Sequence, residues 1–364
     1  MPRRFSSSRR SVLMPVSART RAVLPWSIWP AVPTIMFLMR PLLFIVAAAA
    51  ALAQAPGPPP TFKAGASVVR VDVQVIHRGK PVSGLAASDF SVTDAGQPAA
   101  ALTLDKDNDH LEVLLLLDVS GSMGQLLGRM GVVAQKALAV LKPDDKVGVM
   151  LFARRSEVVL EPDADRRAAV AVIRDAAVER NSTLGAGSSL NEAVLAAAEY
   201  FKQRPYDGRR ALVVLTDNGG LSKELPDEKV IRELAAAEVV LNGIVPDGVD
   251  PPEPPPKGVE VNPDYTPANV FRLAEETGGE WMRSDKPEKL GEMLDRIRQR
   301  YTIYYPAPES APGEWRALDV TLSGGARARY GNAKVRSRPG YFSGPVQAAL
   351  SGSGGSTWSS VTPR

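Results

Sequence analysis

Residues 113–124 read Val-Leu-Leu-Leu-Leu-Asp-Val-Ser-Gly-Ser-Met-Gly. The apolar run Val113 to Leu117 has no polar alternation, which is the pattern of a strand covered on both faces. It stops at Asp118 and passes into a Ser/Gly loop. Downstream, strand-like runs at 147–152, 158–160, 211–215, 239–245 and 279–282 alternate with helical patterns near 125–141, 166–178, 189–203, 227–238, 267–276 and 287–300. Such alternation predicts a Rossmann-like, doubly wound, mostly parallel α/β sheet over residues 109–300.

The flanks read differently. Over 66–108, Val68, Val71, Val73 and Val75 sit among Arg70, Asp72 and Gln74, close to period two, and turns are signalled at Arg78 to Pro81 and at Asp94-Ala95-Gly96. After Tyr301 the strand pattern returns in Thr302 to Tyr305, Arg316 to Leu322, Lys334 to Arg338 and Pro339 to Phe342. About three strands on each side are too few for two independent sheets. The strands of 66–108 and 301–342 are therefore expected to form one β-sandwich-like module. Residues 343–364 are a Ser/Gly-rich tail expected to be disordered.

At the other end, Arg40, the apolar stretch Leu42 to Ala53 and the small-residue sites at Ala51-Leu52-Ala53 and Ala53-Gln54-Ala55 describe a secretory signal. The stretch is about 12 residues, too short for a spanning helix of ~20. Residues 1–55 are thus read as a signal with an N-terminal extension, either a long basic region or sequence preceding a start at Met39. An anchor beginning near Trp26 is interrupted by Arg40 and by prolines. Residues 56–65 form a Pro-rich linker. The expected destination is the periplasm, the cell surface or the extracellular space, with no stable transmembrane segment in the mature chain.

Charge and composition exclude several function classes. The net charge is +4, but residues 1–40 hold seven arginines and no acid, leaving 37 basic against 40 acidic residues. No nucleic-acid footprint remains. With no cysteine and only His77 and His110, zinc sites and histidine-based acid/base chemistry have almost nothing to work with. Gly185-Ala186-Gly187 lacks the third glycine of a dinucleotide fingerprint, and no phosphate-binding Gly-Lys-Ser/Thr loop exists. The chain is read as not an enzyme.

Three segments carry the chemistry: Asp118-Val119-Ser120-Gly121-Ser122, Gly185-Ala186-Gly187-Ser188-Ser189, and Thr216-Asp217-Asn218-Gly219. All three are read as lying at C-terminal ends of strands, where open parallel sheets bind ligands. Asp118 and Asp217 offer carboxylates, and Ser120, Ser122 and Ser188 offer hydroxyls. This all-oxygen set suits Mg2+, or Mn2+ or Ca2+, and not a softer ion. Read blandly, Ser188-Ser189 is only a helix N-cap and Asp118 to Ser122 only a turn.

Asp118-x-Ser120-x-Ser122 with Asp217 resembles the metal-ion-dependent adhesion site of von Willebrand factor A domains, and the chain over about 66–342 is similar to the bacterial secreted branch of that family. The resemblance implies that Asp118, Ser120, Ser122 and Asp217 bind the metal. It also implies a loop threonine, for which Ser188 stands here, with Thr183 a weaker substitute. Asn218 replaces the glycine usual after the second aspartate. The implied function is binding of a protein ligand that offers an acidic side chain to the metal. The alternative is a structural envelope scaffold whose metal site has weakened or decayed. The Pro-rich stretch 247–264, with Asp247, Asp250, Glu253, Glu260 and Asp264, reads equally as a partner-selecting loop or a solvated connector. Asn181-Ser182-Thr183 matches a glycan acceptor. His77 reads as a satisfied residue of the β module, as does His110, and Trp281 and Trp315 as core aromatics.

Overall fold

The computed structural model describes residues 68–105, 110–176, 183–204, 208–219, 221–222, 225–253 and 266–343. The chain divides into two units, residues 1–57 and 58–364, and every described residue belongs to the second. The expected signal, linker and tail, the Asn181-Ser182 pair and residues 254–264 of the Pro-rich stretch lie outside the described residues.

Five strands come first: β1 (Val68–His77), β2 (Lys80–Pro81), β3 (Phe90–Asp94), β4 (Gln97–Pro98) and β5 (Thr103–Asp105). The alternating part is β6 (Leu111–Asp118), α1 (Gly124–Leu138), β7 (Lys146–Phe152), β8 (Ser156–Asp163), α2 (Arg166–Ala176), α3 (Leu190–Lys202) and β9 (Arg209–Leu215). It continues through β10 (Leu221–Ser222), α4 (Asp227–Ala236), β11 (Val239–Val245), β12 (Thr266–Pro267), α5 (Val270–Glu276), β13 (Trp281–Arg283) and α6 (Lys289–Arg298). Last come β14 (Tyr301–Pro306), β15 (Trp315–Leu322), α7 (Gly324–Tyr330), β16 (Lys334–Arg336) and β17 (Gly340–Phe342).

The central sheet has the order β13-β11-β9-β6-β7-β8. Its pairs are parallel except β7 with β8. Strand β6 explains the architecture. Leu111, Val113, Leu115 and Leu117 enter one core with α1, α2 and α6. Leu114 and Leu116 enter a second core with α3, α4 and α5. Apolar residues at every position from Val113 to Leu117 are what a two-faced strand needs. From β6 the chain builds outward through β7 and β8, then returns to the other side of β6 to lay down β9, β11 and β13. The switch point therefore lies between β6 and β9.

The flanking strands form two sheets, β16-β1-β14-β5 and β17-β15-β3-β4, with β2 on β1. Strand β1 pairs antiparallel with β14, and β3 with β15, so strands from before and after the central sheet share both layers. Val71, Val73, Phe90, Val92, Ile303 and Val320 meet in a single core between the layers. The other face of β1 turns to the α/β domain. There Arg300, 1% exposed, donates from Nε to Asp72 (3.0 Å), from Nη1 to Gln74 (3.4 Å) and from Nη2 to the Gly278 carbonyl (2.8 Å). Arg296 adds a bond from Nη1 to the Gly79 carbonyl (2.9 Å).

Two expectations need correction. Trp315 is not a core aromatic: it is 39% exposed and packs edge-on against Phe342, because it begins β15 at the outer rim of the sandwich. Trp281 keeps to expectation: half-buried, it packs against the second core and edge-on to Phe271. His77 is half-buried, its Nδ1 has no hydrogen-bond partner, and its ring sits edge-on to Tyr330. Helix α7 was unforeseen. No helix among the described residues is long and apolar enough to cross a membrane.

Candidate metal centre

Asp118 ends β6 and is fully buried. Its Oδ1 accepts the Ser120 amide (2.9 Å) and the Ser188 hydroxyl (3.2 Å), and its Oδ2 accepts the Thr216 hydroxyl (2.8 Å). The Ser120 and Ser122 hydroxyls lie 3.2 Å apart. The 118–122 loop folds this way because Asp118 closes an Asx-type turn on Ser120, after which the Ser120 carbonyl accepts the Met123 amide (3.1 Å) in a short 3-10 turn over Gly121–Met123.

Ser188 arrives from a loop in which Gly185 (φ 84°) and Gly187 (φ 101°) both take left-handed backbone that glycine adopts without strain. The Ser189 amide then bonds the Ala153 carbonyl beyond β7 (2.8 Å), which ties this loop to the rim of the sheet. Ser189 occupies the N-cap of α3 without a side-chain cap bond, so capping does not use the Ser188 hydroxyl. Thr183 is exposed and contributes its carbonyl to Arg155.

Asp217 sits beyond the end of β9, half-buried, with Oδ1 accepting the Gly219 amide (3.0 Å). Among the described residues no hydrogen bond joins it to the other four, but its charge acts on Asp118. Asn218 has φ 56°, a left-handed conformation that Asn tolerates better than most residues. Its Oδ1 accepts the Val270 amide at the start of α5 (2.9 Å), a bond that glycine could not make.

Thr216 was not anticipated. Leu117 pairs with Leu215 across β6 and β9, so the next residues, Asp118 and Thr216, come side by side. Two apolar runs of similar length, each ending in a polar residue, were the available signal.

Burial raises the Asp118 pKa, its hydrogen bonds from Ser120 and Thr216 oppose the shift, and the neighbouring Asp217 charge adds to it. No Lys, Arg or His among the described residues pairs with Asp118. A buried carboxylate beside a second carboxylate, ringed by hydroxyls and without a cationic side chain, is a site short of positive charge. The donors are all hard oxygens, in keeping with a divalent cation of the Mg2+ class. Among the described residues no group of three or more His, Cys, Asp or Glu side chains converges, so such an ion would rest on two carboxylates and on hydroxyls.

Residues 113–220 match the von Willebrand factor type A domain family. The α/β domain has the von Willebrand factor A fold. The match runs from β6 through β9 and so includes all five candidate ligands. Among solved structures, the chain is similar to an aerotolerance-related membrane protein from Bacteroides fragilis carrying multiple mutations to serines, at 21% identity and TM-score 0.39, over 51% of this chain and 98% of that one. It is similar to the conserved hypothetical protein BatB from Bacteroides thetaiotaomicron at 20% identity and TM-score 0.37, over 51% and 98%. A von Willebrand factor type A protein from Catenulispora acidiphila aligns at 12% identity and TM-score 0.39, over 78% and 76%. No curated protein matches the chain.

Replacing Ser188 with Thr keeps the hydroxyl on Asp118. Magnesium calorimetry on Ser188→Thr is expected to show equal or tighter affinity than wild type. A clear loss would remove Ser188 from the ligand set.

Proposed function

We propose that this is an exported protein whose von Willebrand factor A domain holds one Mg2+, or Mn2+ or Ca2+, on Asp118, Ser120, Ser122, Ser188 and Asp217, and uses it to bind a partner protein. The observation that carries this reading is the buried, cation-less Asp118 at the sheet's switch point. Asp118 and Asp217 would neutralise the ion, the hydroxyls would fill further positions, and an open position would take an acidic side chain of the partner. Nothing in the donor set supplies a nucleophile with its base, so the reading is of binding and not of catalysis. The loop after β11 begins at the same edge of the sheet as Asp118, where it can add to partner choice; its Asp250 pairs with Arg283 (2.6 Å).

A scaffold with a weakened site is the second reading, favoured by one feature: Asp217 folds back on its own loop. The experiment that separates the two is a pull-down from envelope extracts with the mature protein as bait, with magnesium or with excess chelator. A partner captured only with magnesium supports the first reading. Equal capture in both supports the scaffold.

Export is expected to remove the N-terminus after Ala53 or Ala55. N-terminal sequencing of protein recovered from cells checks it. A chain that retains Met39, or is found only in the cytosol, contradicts it.

A further inference from the structure

Asp217 stands apart from the other four proposed ligands, because among the described residues its carboxylate bonds only within its own turn, where Oδ1 accepts the Gly219 amide (3.0 Å). The residues on either side of it are anchored outward. The Thr216 amide donates to the Ile244 carbonyl of β11 (3.2 Å), and its hydroxyl donates to Asp118 Oδ2 (2.8 Å). The Thr216 oxygen in turn accepts the Asn218 amide (3.0 Å), so its single proton is directed at Asp118. Asn218 Oδ1 accepts the Val270 amide (2.9 Å). One chain of hydrogen bonds therefore runs from Asp118 through Thr216 and Asn218 to the start of α5, and it holds the residues on both sides of Asp217.

Val270, at the far end of this chain, is the first residue of α5 and is fully buried. Its N–H is one of the donors that a helix leaves without an internal acceptor. The N-cap residue Asn269 uses its side chain on the Arg272 amide (3.0 Å) and does not serve Val270. Beyond the turn, Leu221 pairs with Pro267 and Ser222 with Thr266 in the short β10–β12 ladder, which fastens the same stretch of chain to the segment leading into α5. Of these two ties, the Asn218 bond is the nearer to Asp217.

Backbone shape and side chain can be told apart at this position. Asn218 holds φ 56°, which glycine adopts at least as readily, so a glycine there would keep the turn and its amide bond to Thr216. It would lose only the acceptor for Val270. A ligand carried on a turn loses that turn's freedom when it binds, and a turn held beforehand loses less. Groups that hold ligands in this way contribute to affinity without touching the ion.

We propose that Asn218 is a positioning residue of the metal centre. By holding Val270 it fixes the turn that presents Asp217 and keeps the Thr216 hydroxyl on Asp118. The inference rests on the metal site proposed above, and it gives a task at that site to a residue that departs from the family pattern.

Magnesium calorimetry and thermal melts on the whole mature protein test it. Asn218→Gly is expected to bind magnesium about tenfold more weakly than wild type, the low end of the range for groups that support a ligand. Asn218→Asp keeps an acceptor and is expected to bind at least as tightly as wild type. Val270→Pro removes the donor instead: proline suits the first position of a helix, and Asn269 before it already lies outside the α region (φ −133°, ψ 82°). It is expected to show a similar loss, and the double variant with Asn218→Gly no loss beyond the larger of the two, because both remove one bond. Should Val270→Pro fail to fold, the two Asn218 variants decide. A role confined to stability would lower the melting temperature of Asn218→Gly and leave its magnesium affinity at the wild-type value, and that result overturns the proposal. Equal losses for Asn218→Gly and Asn218→Asp, or losses that multiply in the double variant, overturn it as well. Wild-type protein that binds no magnesium overturns the metal site itself, and this inference with it.

Discussion

Asp118→Ala is expected to weaken magnesium binding by more than about 100-fold, a loss beyond that seen when only groups supporting a ligand are removed. Two causes combine. The cation loses half of its carboxylate charge, and the Ser120 amide, the Ser188 hydroxyl and the Thr216 hydroxyl lose the acceptor that gathers them. Far-UV circular dichroism should stay native, because the strand that carries Asp118 is held by its leucines on both faces. Asp118→Asn makes the charge argument sharper: it keeps an acceptor of similar shape and removes the charge.

The sign of the stability effect follows from the raised pKa of Asp118. In metal-free protein a carboxyl with a raised folded-state pKa favours the folded state below its unfolded value of ~3.9, and that contribution is lost as pH rises through the folded value. At neutral pH, metal-free Asp118→Asn should therefore melt at or above wild type. Magnesium should raise the wild-type melting temperature and leave the variant unchanged. Calorimetry and thermal melts with and without magnesium measure both. An Asp118→Ala protein with wild-type magnesium affinity would remove Asp118 from the site.

Arg300→Ala is expected to destabilise the protein by about 3–5 kcal/mol, the range for removing one partner of a buried ion pair. Arg300 is among the largest fully buried side chains, and it spans two modules, reaching Asp72 and Gln74 of β1 and the Gly278 carbonyl of the α/β domain. Its removal leaves a cavity and deprives Asp72 of a hydrogen-bonded arginine, with Arg209 remaining at 3.8 Å. The melting temperature should fall by about 10 °C. Arg300→Met retains much of the volume, so the difference between the two variants separates packing from pairing. A loss below about 1 kcal/mol for Arg300→Ala, within the range of an exposed ion pair, would show that the junction does not depend on it.

The α/β fold was legible because its strands carry an unmistakable signal. Val113 to Leu117 and Ala211 to Leu215 are apolar at every position, and the structure buries all of them on two faces. Helix α7 was not legible. It opens with Gly324 and Gly325, buries only Ala326, and has no apolar stripe at helical spacing; the Ser323 carbonyl and the neighbouring β15 hold it. The pair β10 and β12 is two residues on each side and separated by a long stretch of chain, which no local pattern announces. Trp315 misled because aromatic content indicates apolar area and not depth.

At the candidate site, the short Asp118 to Ser122 loop could be read locally, and Ser188 could be named by its glycine-flanked position. Thr216 needed the register between β6 and β9, a property of the pairing and not of either strand alone. Asn218 looked like a departure from pattern, and its second task, accepting the Val270 amide, depends on where α5 begins.

The central claim is that one divalent cation rests on Asp118, Ser120, Ser122, Ser188 and Asp217. Its most direct test is a crystal structure of the mature protein grown with manganese, with anomalous data collected at the manganese edge. The account predicts a single strong peak about 2.1–2.2 Å from the nearest Asp118, Ser120 and Ser122 oxygens, with Ser188 and Asp217 ligating directly or through water. Saturating manganese with no peak at Asp118, or a peak held by other residues, would contradict it.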